Sequence, residues 1–299
     1  MRNSQNRPLQ GIVFVAAATA CFASLDTTTK YISAVVPVAL LMWVRFMLQA
    51  ASTALVMWPS RGRALLRTHR PGMQVARGFL LVTSSTLAFF SLRMLPVEDF
   101  TAIVMLTPLL MTLVAAASMG EKVSLLRWLL VLCGFIGAML VVQPGAETFA
   151  WTSLLPLALV AVSAGFQILT SRLAREDDAS TIHFYTGCTG AVLATLALPF
   201  FWQAMPSWPL WGLILLVALF SNLGHLMLIL GYGRAPVATL SPYLYLQIPF
   251  AMIGSWLVFA QVPDAWSVAG IVLIALSGAA GTWVAARERH QDIRVILDA

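Results

Sequence analysis

Apolar residues gather into ten stretches along the chain, at roughly 10–34, 37–58, 73–93, 97–119, 123–143, 150–172, 181–202, 208–232, 236–259 and 264–286. Each is close to the ~20 residues with which an α-helix crosses a bilayer. The pattern predicts an all-α membrane protein with ten transmembrane helices. In so apolar a pattern the polar interruptions carry the information. The first two runs hold Asp26, Lys30 and Arg45. Asp26 and Lys30 are four residues apart and share one helix face. Asp26 and Arg45 lie equally far from the turn around Pro37, about 12 Å deep if both runs are helices, which places them to pair.

The connectors set an orientation. With the N-terminus inside, the inner segments hold Arg2, Arg7, Arg61, Arg63, Arg67, Arg70, Arg77, Lys122, Arg127, Arg172, Arg175, Arg234, Arg287, Arg289 and Arg294. The outer ones hold only Arg93, while Lys30 and Arg45 stay within spans. That bias predicts cytoplasmic termini. Trp58, Trp151, Trp202, Trp208, Trp266 and Trp283 fall near span ends, where an interfacial aromatic belt is expected.

An internal repeat runs through the same pattern. Leu95-Pro96-Val97 recurs as Ala235-Pro236-Val237 after 140 residues; Pro108 and Pro249, like Gly137 and Gly278, are 141 apart, and Lys30 and Arg172 are 142 apart. Five spans per half is an odd number, so the second half must insert upside down. The expected organisation is two inverted five-helix repeats, at 1–145 and 146–290, followed by a cytoplasmic tail at 291–299. Inverted repeats of this kind are common among secondary transporters.

Composition narrows the class further. Only 10% of the 299 residues are charged and 60% are hydrophobic, against roughly 25% charged in soluble domains. The pI of 9.7 reflects basic connectors rather than a nucleic-acid surface. Cys21, Cys133 and Cys188 sit in apolar runs without paired spacing and read as small buried residues. Arg2 and Arg7 before an apolar run loosely resemble a leader, but the run continues to Val36, so it reads as a retained first span. No Gly-rich phosphate loop, metal-ligand spacing or catalytic motif is present in the sequence, so no catalytic residue, metal or cofactor is expected.

Several residues then carry a family resemblance: Lys30 late in the first span, Arg45-Phe46 in the second, and Leu95-Pro96 with Pro108-Leu109 around the fourth. Gly120-Glu121-Lys122-Val123 precedes the fifth, and Ala235-Pro236 and Pro249 mark the ninth. With these the chain resembles an EamA-type member of the drug/metabolite transporter superfamily over essentially its whole length. It departs where Gln261 stands in place of a second Gly-Glu signature. The resemblance implies ten helices around a central cavity lined by spans 1, 3, 4, 6, 8 and 9, with spans 5 and 10 at the periphery.

Intramembrane ionisable residues are functional candidates. Asp26, Lys30 and Arg45 form a charged set suited to recognising substrate charge or exchanging a proton; the alternative is a structural ion pair with Lys30 reaching the interface. Asn222 and His225, at i and i+3 on the eighth span, should face the same way, and His225 can carry a proton or a hydrogen bond. Gln167, Tyr243 and Gln247 are polar groups placed deep in spans 6 and 9. Pro108, Pro242 and Pro249 are candidate helix breaks, which at membrane depth survive where they are buried or line a wet cavity. Trp43, Phe89 and Phe90 are aromatic candidates for stacking on a planar ligand. Gly134-x-x-x-Ala138 and Ser277-x-x-x-Gly281 allow close helix approach, between spans 5 and 10 or in a homodimer. His69 and the Glu176-Asp177-Asp178 connector read as solvated.

The sequence thus points to a secondary active transporter in the inner membrane, surrounded by lipid and working by alternating access, with a proton as the coupling ion if there is one. By resemblance its substrate is a small metabolite: an amino acid or derivative, a nucleobase-like compound or a riboflavin-type vitamin. Two alternatives stay open: an intramembrane lipid-modifying enzyme using Asp26 and His225, and a scaffold subunit without transport.

Overall fold

Pro8 opens the first helix, at a position where its missing N–H costs nothing. In the computed structural model, which describes residues 7–94, 103–104, 106–118, 124–142, 154–203, 207–260 and 264–297, that helix is α1, Pro8–Ile32. It is followed by α2 (Val38–Arg61), α3 (Pro71–Met94), α4 (Thr107–Ser118), α5 (Leu125–Val142), α6 (Leu154–Glu176), α7 (Ala179–Ala197) and α8 (Pro209–Tyr232). The ninth run is interrupted, with α9 (Val237–Leu240), a 3-10 segment (Ser241–Leu246) and α10 (Gln247–Phe259), and α11 is Ala265–Leu297. The Leu95-Pro96 motif, the Gly120–Val123 signature, Trp151 and Gln261 lie outside the described residues.

The chain's turns follow their local chemistry. Pro37 caps α2 in extended conformation, since proline favours φ near −65° and cannot continue a preceding helix. α2 ends at Gly62, whose φ of 52° is open to glycine at little cost. Asp178 caps α7 by accepting the Ser180 N–H at 2.9 Å. Pro242 lies in the 3-10 segment, Pro249 in the first turn of α10 and Pro108 in the first turn of α4. The last helix runs to Leu297, well past the apolar run, because Glu, Arg and Gln continue a helix readily once it leaves the bilayer.

Among the described residues, seven helices are long and apolar enough to cross a membrane, and Trp128–Leu140 and Ala265–Gly281 are shorter apolar helices. The outside of the bundle is apolar: Trp208 is 85% exposed and Leu55 77%. Polar side chains such as Arg45, Gln49, Arg77, His183 and His225 are buried instead. Apolar outside and polar inside is the arrangement lipid demands, and the chain is a multi-pass all-α membrane protein.

Helices from the two ends of the chain interleave. α1 packs against α8 and α10, α2 against α7 and α8, α3 against α6 and α7, α4 against α6, and α5 against α11. The main core joins Ile12, Val15, Phe46, Met111, Phe166 and Tyr232. Close approach is set by small residues: a Cβ at Gly187 of α7 would lie 2.7 Å from the Ala50 backbone of α2. Likewise Gly137 of α5 faces the Gly270 carbonyl of α11, where an added Cβ would lie 2.8 Å away.

Candidate functional site

Asp26 on α1 is exposed to the space beside α10, where Gln247 Nε2 donates to its Oδ2 at 2.7 Å. Lys30, one turn on, is also exposed and rests over the Phe259 ring, 4.9 Å from its centroid. Arg45 is buried and donates to Ser221 Oγ of α8, from Nε at 3.2 Å and Nη2 at 2.8 Å, and its Nη1 lies 3.6 Å from Met42 Sδ. The direct Asp26–Arg45 pair expected from their equal depth is not formed; they attract only through space. The cause is packing, because α2 lies on α7 and α8 while α1 turns its acidic face to α10.

Beside Arg45 a hydrogen-bonded chain crosses three helices. Gln49 Nε2 of α2 donates to the His183 carbonyl at 3.1 Å and lies 3.3 Å from His183 Nδ1 on α7. His183 Nε2 lies 2.5 Å from Asn222 Oδ1, and Asn222 Nδ2 donates to Ser52 Oγ at 2.9 Å. Since the Asn222 amide nitrogen donates to Ser52, its oxygen must accept, which fixes the His183 proton on Nε2 and leaves Nδ1 to accept from Gln49.

His225 does not share this direction. Its Nδ1 is 2.7 Å from the Ser221 carbonyl and so carries the proton. Its ring stands edge-on between Phe22 (4.9 Å) and Phe166 (5.8 Å). Asn222 and His225 share a helix face in sequence, yet one turns to α7 and α2 and the other to α1 and α6. Below them Tyr232 donates to Gln167 Oε1 at 2.7 Å. Trp43 is half-buried and donates to Thr195 Oγ1 at 3.0 Å. Phe89 is buried against exposed Phe90, ring centroids 5.8 Å apart. Tyr243, expected at the cavity, is buried against Gly278 and Gly281 of α11. It lies in the 3-10 segment and joins the core that also holds Met111, Phe166 and Tyr232.

Two residues without an assigned role in the sequence are central here. His183 is the middle of the chain just described. Arg77, counted there as a connector charge, is fully buried in α3. Its Nε donates to Thr170 Oγ1 of α6 at 2.7 Å, its Nη1 to Thr186 Oγ1 and weakly to the Ile182 carbonyl of α7, and its guanidinium lies 4.5 Å from the Phe166 ring centroid. A buried Arg is visible in sequence only as a charge a few residues inside an apolar run.

On the connector side, Asp177 is buried, not solvated: its side chain is 1% exposed. It accepts from Thr68 Oγ1, from the His69 N–H at 3.0 Å and from Gln74 Nε2 at 2.8 Å, with His69 Nδ1 2.8 Å away. Burial raises its pKa, but these hydrogen bonds outweigh that and hold the carboxyl below the usual range. Arg61–Asp178 (2.8 Å) and Arg70–Glu176 (3.1 Å) flank it. The α2–α3 and α6–α7 connectors are thereby tied together.

A helical bundle with an apolar skin and a charged, hydrogen-bonded interior is the construction of a membrane transporter. The chain belongs to the EamA-like transporter family, whose sequence model matches it twice, over residues 9–143 and 151–281. A riboflavin transporter of Vibrio cholerae is 28% identical, covering 96% of this chain and 98% of that protein. An S-adenosylmethionine uptake transporter of Rickettsia bellii is 26% identical over 71% of this chain and 73% of its own. The pseudopaline exporter CntI of Pseudomonas aeruginosa is 26% identical over 89% and 94%. One solved crystal structure shares the fold with a TM-score of 0.77 at 20% identity, covering 93% of this chain and 98% of that one. The chain is therefore a small-metabolite transporter of the drug/metabolite superfamily, and the enzyme and scaffold alternatives fall with that membership.

Proposed function

We propose that this protein is a ten-span secondary transporter of the inner membrane, with both termini cytoplasmic, working by alternating access of two inverted repeats. The carrying observation is the line of polar groups through the apolar bundle: Asp26 with Gln247, Arg45 with Ser221, and His225 between two aromatic rings. Polar and ionisable groups of this kind within a membrane bundle mark a solute path.

The helix pairs support the repeat. If each span is exchanged with its counterpart five later, α1–α8 becomes α6–α3, the packing of α1 on the ninth run becomes that of α6 on α4, and α2–α8 becomes α7–α3, while α2–α7 and α5–α11 map onto themselves. The twofold family match agrees with it.

The substrate proposed is a planar metabolite bearing polar groups, riboflavin-like or an amino-acid derivative, with rings placed near Phe22 and His225 and the coupling proton carried by Asp26. Purified protein in vesicles, screened with labelled riboflavin, nucleobases, amino acids and S-adenosylmethionine, tests this. Saturable uptake of at least one, reduced by His225→Ala, is expected. Uptake of none above empty vesicles contradicts it.

A further inference from the structure

Among the described residues, Arg77 is a cation without an anion. Each of its acceptors is neutral, and its Nη2 is buried with no hydrogen-bond partner among the described residues. The Thr170 and Thr186 hydroxyls donate back to the carbonyls of Phe166 and Ile182, at 2.6 and 2.9 Å, which turns their oxygen lone pairs toward the guanidinium. That cradle orients the guanidinium without neutralising it.

The carboxylates nearby are engaged elsewhere. Asp26 takes the Gln247 amide and makes no ion pair with either arginine, and Asp177 is satisfied by Thr68, His69 and Gln74. Arg45 hydrogen-bonds only the neutral Ser221 and Met42 among the described residues and feels Asp26 only through space. A desolvated guanidinium held by neutral groups, as Arg77 is, is unfavourable unless something of opposite charge joins it, and a guanidinium's fork of donors fits carboxylate and phosphate.

Arg77 also adjoins the site. Phe166 is shared: Arg77 lies over its face, and His225 stands edge-on to it with Nε2 free of any partner among the described residues. We propose that Arg77 is the specificity-determining residue for an anionic group, carboxylate or phosphate, on the transported metabolite, with Arg45 as the second positive charge. This rests on the transport reading and narrows its substrate class. A substrate seated at His225 would direct its anion past Phe166 to Nη2 of Arg77, and a cationic group toward Asp26.

Two matched pairs of probes test it by equilibrium binding to the purified protein and by vesicle uptake: riboflavin with riboflavin 5′-phosphate, and S-adenosylmethionine with its decarboxylated form. In at least one pair the anion-bearing member should bind about tenfold more tightly, the scale of one charge-assisted hydrogen bond. Arg77→Gln should bring the two members within about threefold, by weakening the anion-bearing member more than its partner, and Arg77→Lys should keep part of the preference. The preference is a ratio within one variant, so lower expression does not mimic it. Which pair discriminates tells carboxylate from phosphate. Preference in neither pair, or a preference that persists in Arg77→Gln, overturns the assignment. Riboflavin uptake without anion preference overturns it while leaving transport intact; anion-selective, Arg77-dependent binding without uptake supports it and counts against transport.

Discussion

Gln74 Nε2 lies 2.8 Å from Asp177 Oδ2 and donates to it, although 103 positions separate the two residues. With Thr68 and His69 it makes one carboxylate the meeting point of two connectors, one from each family match. This contact ties the two connectors together at one face of the bundle.

Asp177→Asn should weaken that tie. Removing the charge from a carboxylate that accepts several hydrogen bonds costs about 1–3 kcal/mol. The sign with pH is defined: the folded pKa is depressed, so the stabilisation is complete above the unfolded value near pH 4 and is lost as pH falls through the lower folded value. Thermal unfolding in detergent should show a wild-type advantage at pH 6 that shrinks below about pH 4. An advantage independent of pH contradicts this.

The alternating access proposed above requires the same contact to part in each cycle. A Thr68→Cys/Asp177→Cys pair, in a background lacking Cys21, Cys133 and Cys188, should stop uptake when oxidised and recover on reduction. Full uptake by the oxidised, cross-linked protein would show that this face never opens.

The His183–Asn222 bond predicts strong coupling. Asn222→Ala leaves the His183 Nε2–H without its acceptor and Ser52 Oγ without its donor, a cost of about 1–3 kcal/mol. A double-mutant cycle of Asn222→Ala with His183→Ala should return an interaction energy of about 1 kcal/mol or more. Additive effects would mean that the proton is not placed as the hydrogen bonds require.

Gly187 sets the spacing of α7 on α2. Gly187→Ala puts a methyl against the Ala50 backbone and should destabilise by about 1–3 kcal/mol through forced separation. Gly212→Ala, with nothing within 4 Å, is the control, and equal losses at both sites would contradict the close-packing account.

Among the described residues, seven of the ten expected spans are helices long and apolar enough to cross a membrane, and these were legible because such a helix announces itself by apolar length alone. The candidates of the first hairpin were legible as charges in apolar runs, but their partners were not. Arg45 reaches Ser221 across 176 positions and Asp26 reaches Gln247 across 221, and helix-facing rules describe neighbours within one helix only. Arg77 was misread because it lies close to a basic connector, and Asp177 because an acidic triplet looks solvated until a second connector covers it. Tyr243 lies in a 3-10 segment that the apolar pattern alone does not distinguish from α-helix.

In the proposed transport a solute crosses this polar interior with Asp26 as the coupling group. Uptake of labelled riboflavin and S-adenosylmethionine into vesicles, with and without a pH gradient, for the wild-type protein and Asp26→Asn, tests it most directly. The account predicts saturable wild-type uptake of at least one compound that the gradient accelerates, with the acceleration absent in Asp26→Asn. Uptake that ignores both the gradient and the substitution would contradict it.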